Sequence, residues 1–187
     1  PFPRIHLCAP TGKAAARLSA SLAEACPRMD SPATILSALT ALEACTIHRL
    51  LQFRPGGKGF VFNENNPLPT DVVVVDEASM VDLLLMNRLV RAVPDAAKLI
   101  ILGDKDQLAS VDAGAVFGDF CRDARRRTYS TPMRRLFSSL TQSVLPPLDD
   151  TRGENAALQD CTVVLEKNYR FDHRQGIGAL TQAINRG

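Results

Sequence analysis

Three short apolar runs punctuate the chain: Ile5–Ala9, Val72–Val75 and residues 99–102. The second is four valines in succession. It is β-branched throughout and does not alternate with polar positions, as expected of a strand covered on both faces. Each run passes into polar or glycine-bearing residues and then into apolar positions at helical spacing. That spacing predicts helices over 13–25, 34–53 with room for a break inside it, 81–93, 113–123, 133–144 and 177–185. Strands alternating with helices predict an α/β fold: a parallel sheet with helices on both faces. Residues 54–70, RPGGKGFVFNENNPLPT, are rich in Gly, Asn and Pro. They predict a loop with a short hairpin around Phe60 to Phe62. Residues 146–155 form a second low-structure stretch and a candidate boundary, after which 162–165 is a further strand candidate. There is no internal repeat.

Composition narrows the class. A length of 187 residues suits one domain or one and a fraction. Apolar residues at 45% and charged residues at 22% match soluble globular proteins and exclude a disordered tail, a collagen-like repeat and a coiled coil. Aromatics are only 5%, without Trp, so the core must be aliphatic. The net charge of +2 offers no domain-wide basic field, so nucleic-acid binding has to be argued from local residues. Arg122, Arg125, Arg126, Arg127, Arg134 and Arg135 are clustered, as a contact for DNA or a partner subunit or as an ordinary solvated face. Cysteines at 8, 26, 45, 121 and 161 are odd in number and form no C-x-x-C, which supports neither a disulfide framework nor a zinc site. Reduced thiols and a cytoplasmic location are the expectation. No apolar run approaches the roughly 20 residues of a membrane helix, and no signal peptide is visible. The opening Pro1-Phe2-Pro3, without Met, leads to the expectation of an excised piece of a longer protein.

Three segments carry candidate chemistry. In VVVVDEAS a hydrophobic strand delivers Asp76 and Glu77 at its carboxyl end, the edge where ligands bind in open α/β sheets. Nucleoside triphosphate hydrolysis needs one carboxylate for hydrated Mg²⁺ and another to orient and deprotonate the attacking water. Asp76 suits the first role and Glu77 the second. The same residues could instead belong to an acidic loop that caps the next helix. In LGDKDQL, Gly103 lets the chain leave the sheet sharply, Asp104 follows, and the Gln107 amide could donate to a phosphate and accept from water. The alternative is a plain Gly-Asp turn. In APTGK, Thr11, Gly12 and Lys13 open a helix, and helix N-termini favour anions. This is not a P-loop, because Leu7 and Ala14 stand where G-x-x-x-x-G-K-[ST] needs Gly and Ser or Thr. A nucleic-acid phosphate suits it better than a nucleotide, and an ordinary Thr-capped helix would look the same.

Taken together, APTGKAAARL, TIHRLL, VVVVDEASMVD, LGDKDQLASVDAG and NYRF resemble the RecD family, the alpha subunit of exodeoxyribonuclease V and a superfamily-one DNA helicase. The resemblance spans residues 5–187 and is weakest over 122–160. It implies a RecA-like, P-loop NTPase-type parallel sheet truncated at its N-terminus. Residues 1–160 would be a partial first motor domain, and 161–187 its final strand and the start of a second. By resemblance, Thr11, Gly12 and Lys13 belong to motif Ia, against single-stranded DNA, and His48 and Arg49 to the next DNA-proximal motif. Asp76 and Glu77 would be the Walker B pair, with Asp76 on the metal. Gly103, Asp104 and Gln107 would lie at the nucleotide, with Gln107 as the motif III sensor. Arg170 would reach the γ-phosphate. ATP and Mg²⁺ are the implied cofactors; single-stranded DNA and the beta and gamma subunits of exonuclease V are the implied partners.

The family's Walker A loop precedes motif Ia and is not among these residues. The expectation is therefore that this chain alone neither binds ATP tightly nor hydrolyses it. A further expectation is that 99–102 becomes an open apolar sheet edge, closed either by 162–165 or by a second copy of the chain. A reading from another class stays beside the helicase: a non-catalytic scaffold that binds DNA or a subunit through the same surface.

Overall fold

The computed structural model describes residues 2–57, 59–104, 116–121, 129–141, 143–144 and 160–165. The chain divides into two compact units, 1–117 and 118–187.

The first unit is built on a four-stranded sheet. Its strands are β1 (Ile5–Ala9), β2 (Ala44–Thr46), β5 (Val72–Val75) and β6 (Lys98–Ile101), in the order β2-β1-β5-β6 and all parallel. A two-stranded antiparallel hairpin, β3 (Phe53–Arg54) and β4 (Gly59–Phe60), stands apart from it. Leu7, Cys8 and Ala9 are consecutive and all buried, and successive strand residues face opposite ways, so both faces of β1 are covered. The α/β parallel sheet expected from the alternation is therefore present.

Helix α1 (Gly12–Ala25) packs on β1 and β2. Helix α4 (Leu83–Ala92) buries Leu85, Met86, Leu89 and Ala92, one stripe at helical spacing, and leaves Leu84 exposed. Ile47, Leu51, Val73, Val75 and Val81 complete a largely aliphatic core. At the amino edge, Arg4 clamps β1 to β5: its backbone N–H donates to Asp71 Oδ2 at 2.7 Å and its Nη2 to Asp71 Oδ1 at 3.0 Å.

Several sequence expectations change. The long helix over 34–53 is instead α2 (Ala33–Thr40), then β2, then the one-turn helix α3 (Ile47–Leu50), then β3. Ala44-Cys45-Thr46 has no strand signal of its own; pairing Leu7↔Ala44, Cys8↔Cys45 and Ala9↔Thr46 makes it one. The hairpin lies slightly earlier than expected, and Gly56 and Gly57 take φ of 83°, a turn conformation that glycine adopts without steric cost. The third strand starts and ends one residue early, at Lys98–Ile101.

In the second unit, described by itself, α6 (Thr131–Thr141) is preceded by Ser130, whose hydroxyl accepts from the Met133 N–H at 3.2 Å. Arg134 and Arg135 lie on this helix, while Arg122, Arg125, Arg126 and Arg127 lie outside the described residues. Residues 162–165 form no strand, contrary to expectation: four apolar residues make an extended ladder only where another strand supplies the hydrogen bonds. The 113–123 helix is seen as α5 (Val116–Phe120), which spans the division between the units. The 146–155 stretch and the 177–185 helix fall outside the described residues. Among the described residues no helix is long and apolar enough to cross a membrane.

Candidate functional site

Parallel strands bring their carboxyl ends to one edge, so strand order decides which motifs become neighbours. Read across β2-β1-β5-β6, that edge carries His48 and Arg49, then Thr11, Gly12 and Lys13, then Asp76 and Glu77, then Gly103 and Asp104. Gln107 and Arg170 lie outside the described residues.

Asp76 continues the ladder past β5: its N–H donates to Cys8 O at 2.9 Å, and its Oδ1 accepts from the Glu77 N–H at 2.9 Å. Glu77 then turns left-handed, with φ 52° and ψ 39°. For a residue with a Cβ that conformation costs about 1–3 kcal/mol. The turn is held on its far side by Ala78, whose N–H donates to Leu102 O at 2.9 Å. Both carboxylates are half-buried. Neither caps the following helix: that role belongs to Asp82, whose Oδ1 accepts from the Leu85 N–H at 2.8 Å. The alternative of an acidic helix cap thus applies to Asp82 and not to Asp76 or Glu77. A single strand-end carboxylate fits Mg²⁺, which keeps several waters and takes one or two protein carboxylates. Among the described residues no group of three or more His, Cys, Asp or Glu forms a metal cage.

At the neighbouring strand end Thr11 caps α1, its hydroxyl accepting from the Ala14 N–H at 3.2 Å. Thr11, Gly12 and Lys13 are exposed, and a Cβ on Gly12 would meet nothing within 4 Å. Next to it Thr46 caps α3 by accepting from the Arg49 N–H at 3.2 Å. Exposed His48 packs edge-on against Phe53 at 5.7 Å and beside Phe60 at 5.9 Å. Both segments are thus ordinary Thr-capped helix starts, with exposed Lys13 and Arg49 at the same edge of the sheet.

Gly103 serves a purpose other than the one expected. A Cβ there would sit 3.0 Å from the Phe117 ring and 3.2 Å from the Ser79 backbone nitrogen. Close packing, not a sharp turn through positive φ, requires the glycine. Burial pushes the Cys8 thiol up to about 12, helped by the adjacent Cys45, so it is an inert core group at neutral pH. Cys8, Cys26, Cys45 and Cys161 are in no disulfide.

Two features escaped the sequence reading. One is Arg17 on α1, whose Nη1 lies 3.8 Å from Glu77 Oε1; its position four residues after Lys13 was the available signal. The other is a groove of about 670 Å³ between the β3–β4 hairpin and α4, lined by Phe53, Phe60, Asn63, Leu84, Arg88 and Arg91 among others. None of the residues predicted from the sequence lines it.

Comparison with known proteins agrees with the motifs. The AAA domain family matches residues 3–113. The RecBCD enzyme subunit RecD of Mycobacterium tuberculosis (strain CDC 1551 / Oshkosh) is 53% identical over 119 residues, 64% of this chain and 20% of that protein. The Haemophilus influenzae RecBCD enzyme subunit RecD is 37% identical over 186 residues, covering 98% of this chain and 28% of that protein. The ATP-dependent RecD2 DNA helicase of Deinococcus radiodurans is 42% identical over 110 residues, 59% of this chain and 13% of that protein. The chain therefore spans less than a third of the length of these relatives. With the parallel sheet, the carboxylate pair at its edge and the match over residues 3–113, the chain belongs to the AAA domain family and resembles RecD within it.

Proposed function

We propose that these residues form the metal-and-water side of an ATP-hydrolysing site, together with a single-stranded DNA contact edge, in a helicase subunit of exonuclease V acting in double-strand break repair and recombination. The observation that carries this reading is the placement of Asp76 and Glu77 at the carboxyl end of an interior strand, beside the exposed start of α1 on the neighbouring strand and relieved of capping by Asp82. Asp76 would hold Mg²⁺, which when bound neutralises developing phosphate charge. Glu77 takes a proton from the attacking water. Thr11, Gly12, Lys13, His48 and Arg49 hold phosphates of the DNA strand through N–H groups and cations. Gly103 and Asp104 flank the nucleotide. The same proposal gives Gln107 the sensing role and Arg170 the γ-phosphate contact. It keeps 1–160 as part of a first motor domain and 161–187 as its end and the start of a second, without the strand expected at 162–165.

The beta and gamma subunits of exonuclease V are the proposed partners, and the cytoplasm the proposed location. The outer edge of β6 has no strand partner among the described residues, and Ile100 is 45% exposed, which supports self-association there.

The test is steady-state ATP turnover of the full-length protein on single-stranded DNA. Glu77→Gln should lower kcat by roughly 10²- to 10⁴-fold, the usual contribution of a positioned base, with nucleotide affinity retained. Turnover at the wild-type rate would end the proposal. The 187-residue chain contains no G-x-x-x-x-G-K-[ST]. By itself it should turn over no more ATP than its own Glu77→Gln variant.

A further inference from the structure

We propose that Arg17 is a positioning residue through which a nucleic-acid phosphate at the start of α1 controls Glu77. The inference rests on the reading of Glu77 as the base and of the α1 N-terminus as a DNA contact, and it adds a route between them. Its starting point is the pairing of Arg17 Nη1 with Glu77 Oε1 at 3.8 Å, between a helix that begins at Thr11 and the end of the neighbouring strand.

The backbone of Glu77 has little freedom. It is left-handed, and it is tied on one side through Asp76 to Cys8 O and on the other through Ala78 to Leu102 O, both at 2.9 Å. Whatever adjusts the Glu77 carboxylate must therefore act on its side chain, and among the described residues Arg17 is the cation paired with it. An oxygen turned to a guanidinium is not turned to a water. Without nucleic acid, this contact lowers the fraction of time in which the Glu77 carboxylate serves a water.

Lys13 and Arg17 are four apart in one helix, so they stand on the same face one turn apart. A phosphodiester held at Thr11 and Lys13 comes within reach of the Arg17 guanidinium, whose planar donors match phosphate oxygens in pairs. The phosphate and Glu77 then compete for one cation. Arg17 and Glu77 side chains are 57% and 27% exposed. A pair that wet contributes little, at most about fivefold in an equilibrium. A phosphate can therefore break it, which a switch requires. Binding at motif Ia thus releases Glu77 without any movement of the sheet.

The experiment measures ATP turnover of the full-length protein, without and with saturating oligo-dT, for wild type, Arg17→Ala, Arg17→Lys and Glu77→Gln. Arg17→Ala should raise the DNA-free rate by up to about fivefold and leave the DNA-saturated rate within about twofold, so that the stimulation ratio shrinks. Arg17→Lys should keep most of the ratio. The proposal is overturned if Arg17→Ala leaves the ratio unchanged, if it lowers both rates in parallel, or if wild-type turnover ignores the oligonucleotide. Glu77→Gln separates the two levels. If it turns over ATP normally, the assignment of the base fails whatever Arg17 does. If it is inactive while the Arg17→Ala ratio is unchanged, only the route through Arg17 fails.

Discussion

Strands β5 and β6 lie side by side, both aliphatic, both running into a polar turn at the same edge of the sheet. Val73 and Val75 of β5 are 0% exposed, whereas Ile100 of β6 is 45% exposed. The difference does not come from hydrophobicity. β5 has β1 on one side and β6 on the other, while β6 has only β5 among the described residues. Two flanking strands also hold the chain beyond β5, and this lets Glu77 keep a backbone conformation that a freer turn would relax. An interior strand can support a strained residue at its end; an edge strand of the same composition offers only one such anchor.

The contrast can be broken most sharply by charge. Val73→Asp places an unpaired carboxylate in a fully buried position and should cost roughly 4 kcal/mol or more, a large share of a domain's stability. Ile100→Asp should stay within about 1 kcal/mol, as at other exposed sites. Urea unfolding midpoints of the two variants measure this. Equal losses would mean that the outer edge of β6 is covered in solution.

A smaller effect compares the glycines that follow β6 and β1. Gly103→Ala meets the Phe117 ring at 3.0 Å and backbone at 3.2 Å, so it should destabilise by about 1–3 kcal/mol. Gly12→Ala enters open space on a helix and should stabilise by up to about 1 kcal/mol. Thermal melts of both report the signs, and a stabilising Gly103→Ala would show that the turn after β6 has room to spare.

The smallest effect is at the amino edge that β1 and β5 share. Hydrogen bonds from the Arg4 side chain and backbone hold the Asp71 carboxyl at about 2, below its ordinary 3.8. A carboxylate depressed in the folded state contributes stability that is fully present above pH 3.8 and is lost as pH falls toward about 2. Both side chains are largely exposed, so the contribution is slight. Asp71→Asn should flatten the stability profile between pH 4 and 2 relative to wild type and leave the protein slightly less stable at pH 7, where the contribution is fully present. A variant whose profile matches wild type throughout that window would show that the clamp does not form in solution.

Much of this arrangement was written in local pattern. VVVV had to be a strand, because its aliphatic, β-branched side chains need cover on both sides. The acidic pair had to lie at its carboxyl end, because the order of residues along a strand is covalent. The Thr11 cap follows from the same covalent logic, whereas the Thr46 cap, at the end of β2, does not. β2 was not visible, because Ala44-Cys45-Thr46 becomes a strand only when β1 supplies its hydrogen bonds. The pairing of Arg17 with Glu77 was not visible either, since it joins residues sixty apart through strand order and a left-handed backbone. The sequence by itself determined which residues are hydrophobic, charged or flexible and in what succession they leave each strand. Tertiary structure alone decided which strand ends became neighbours and which strand lay inside, because sheet order and burial depend on hydrogen bonds and packing between segments far apart in the chain.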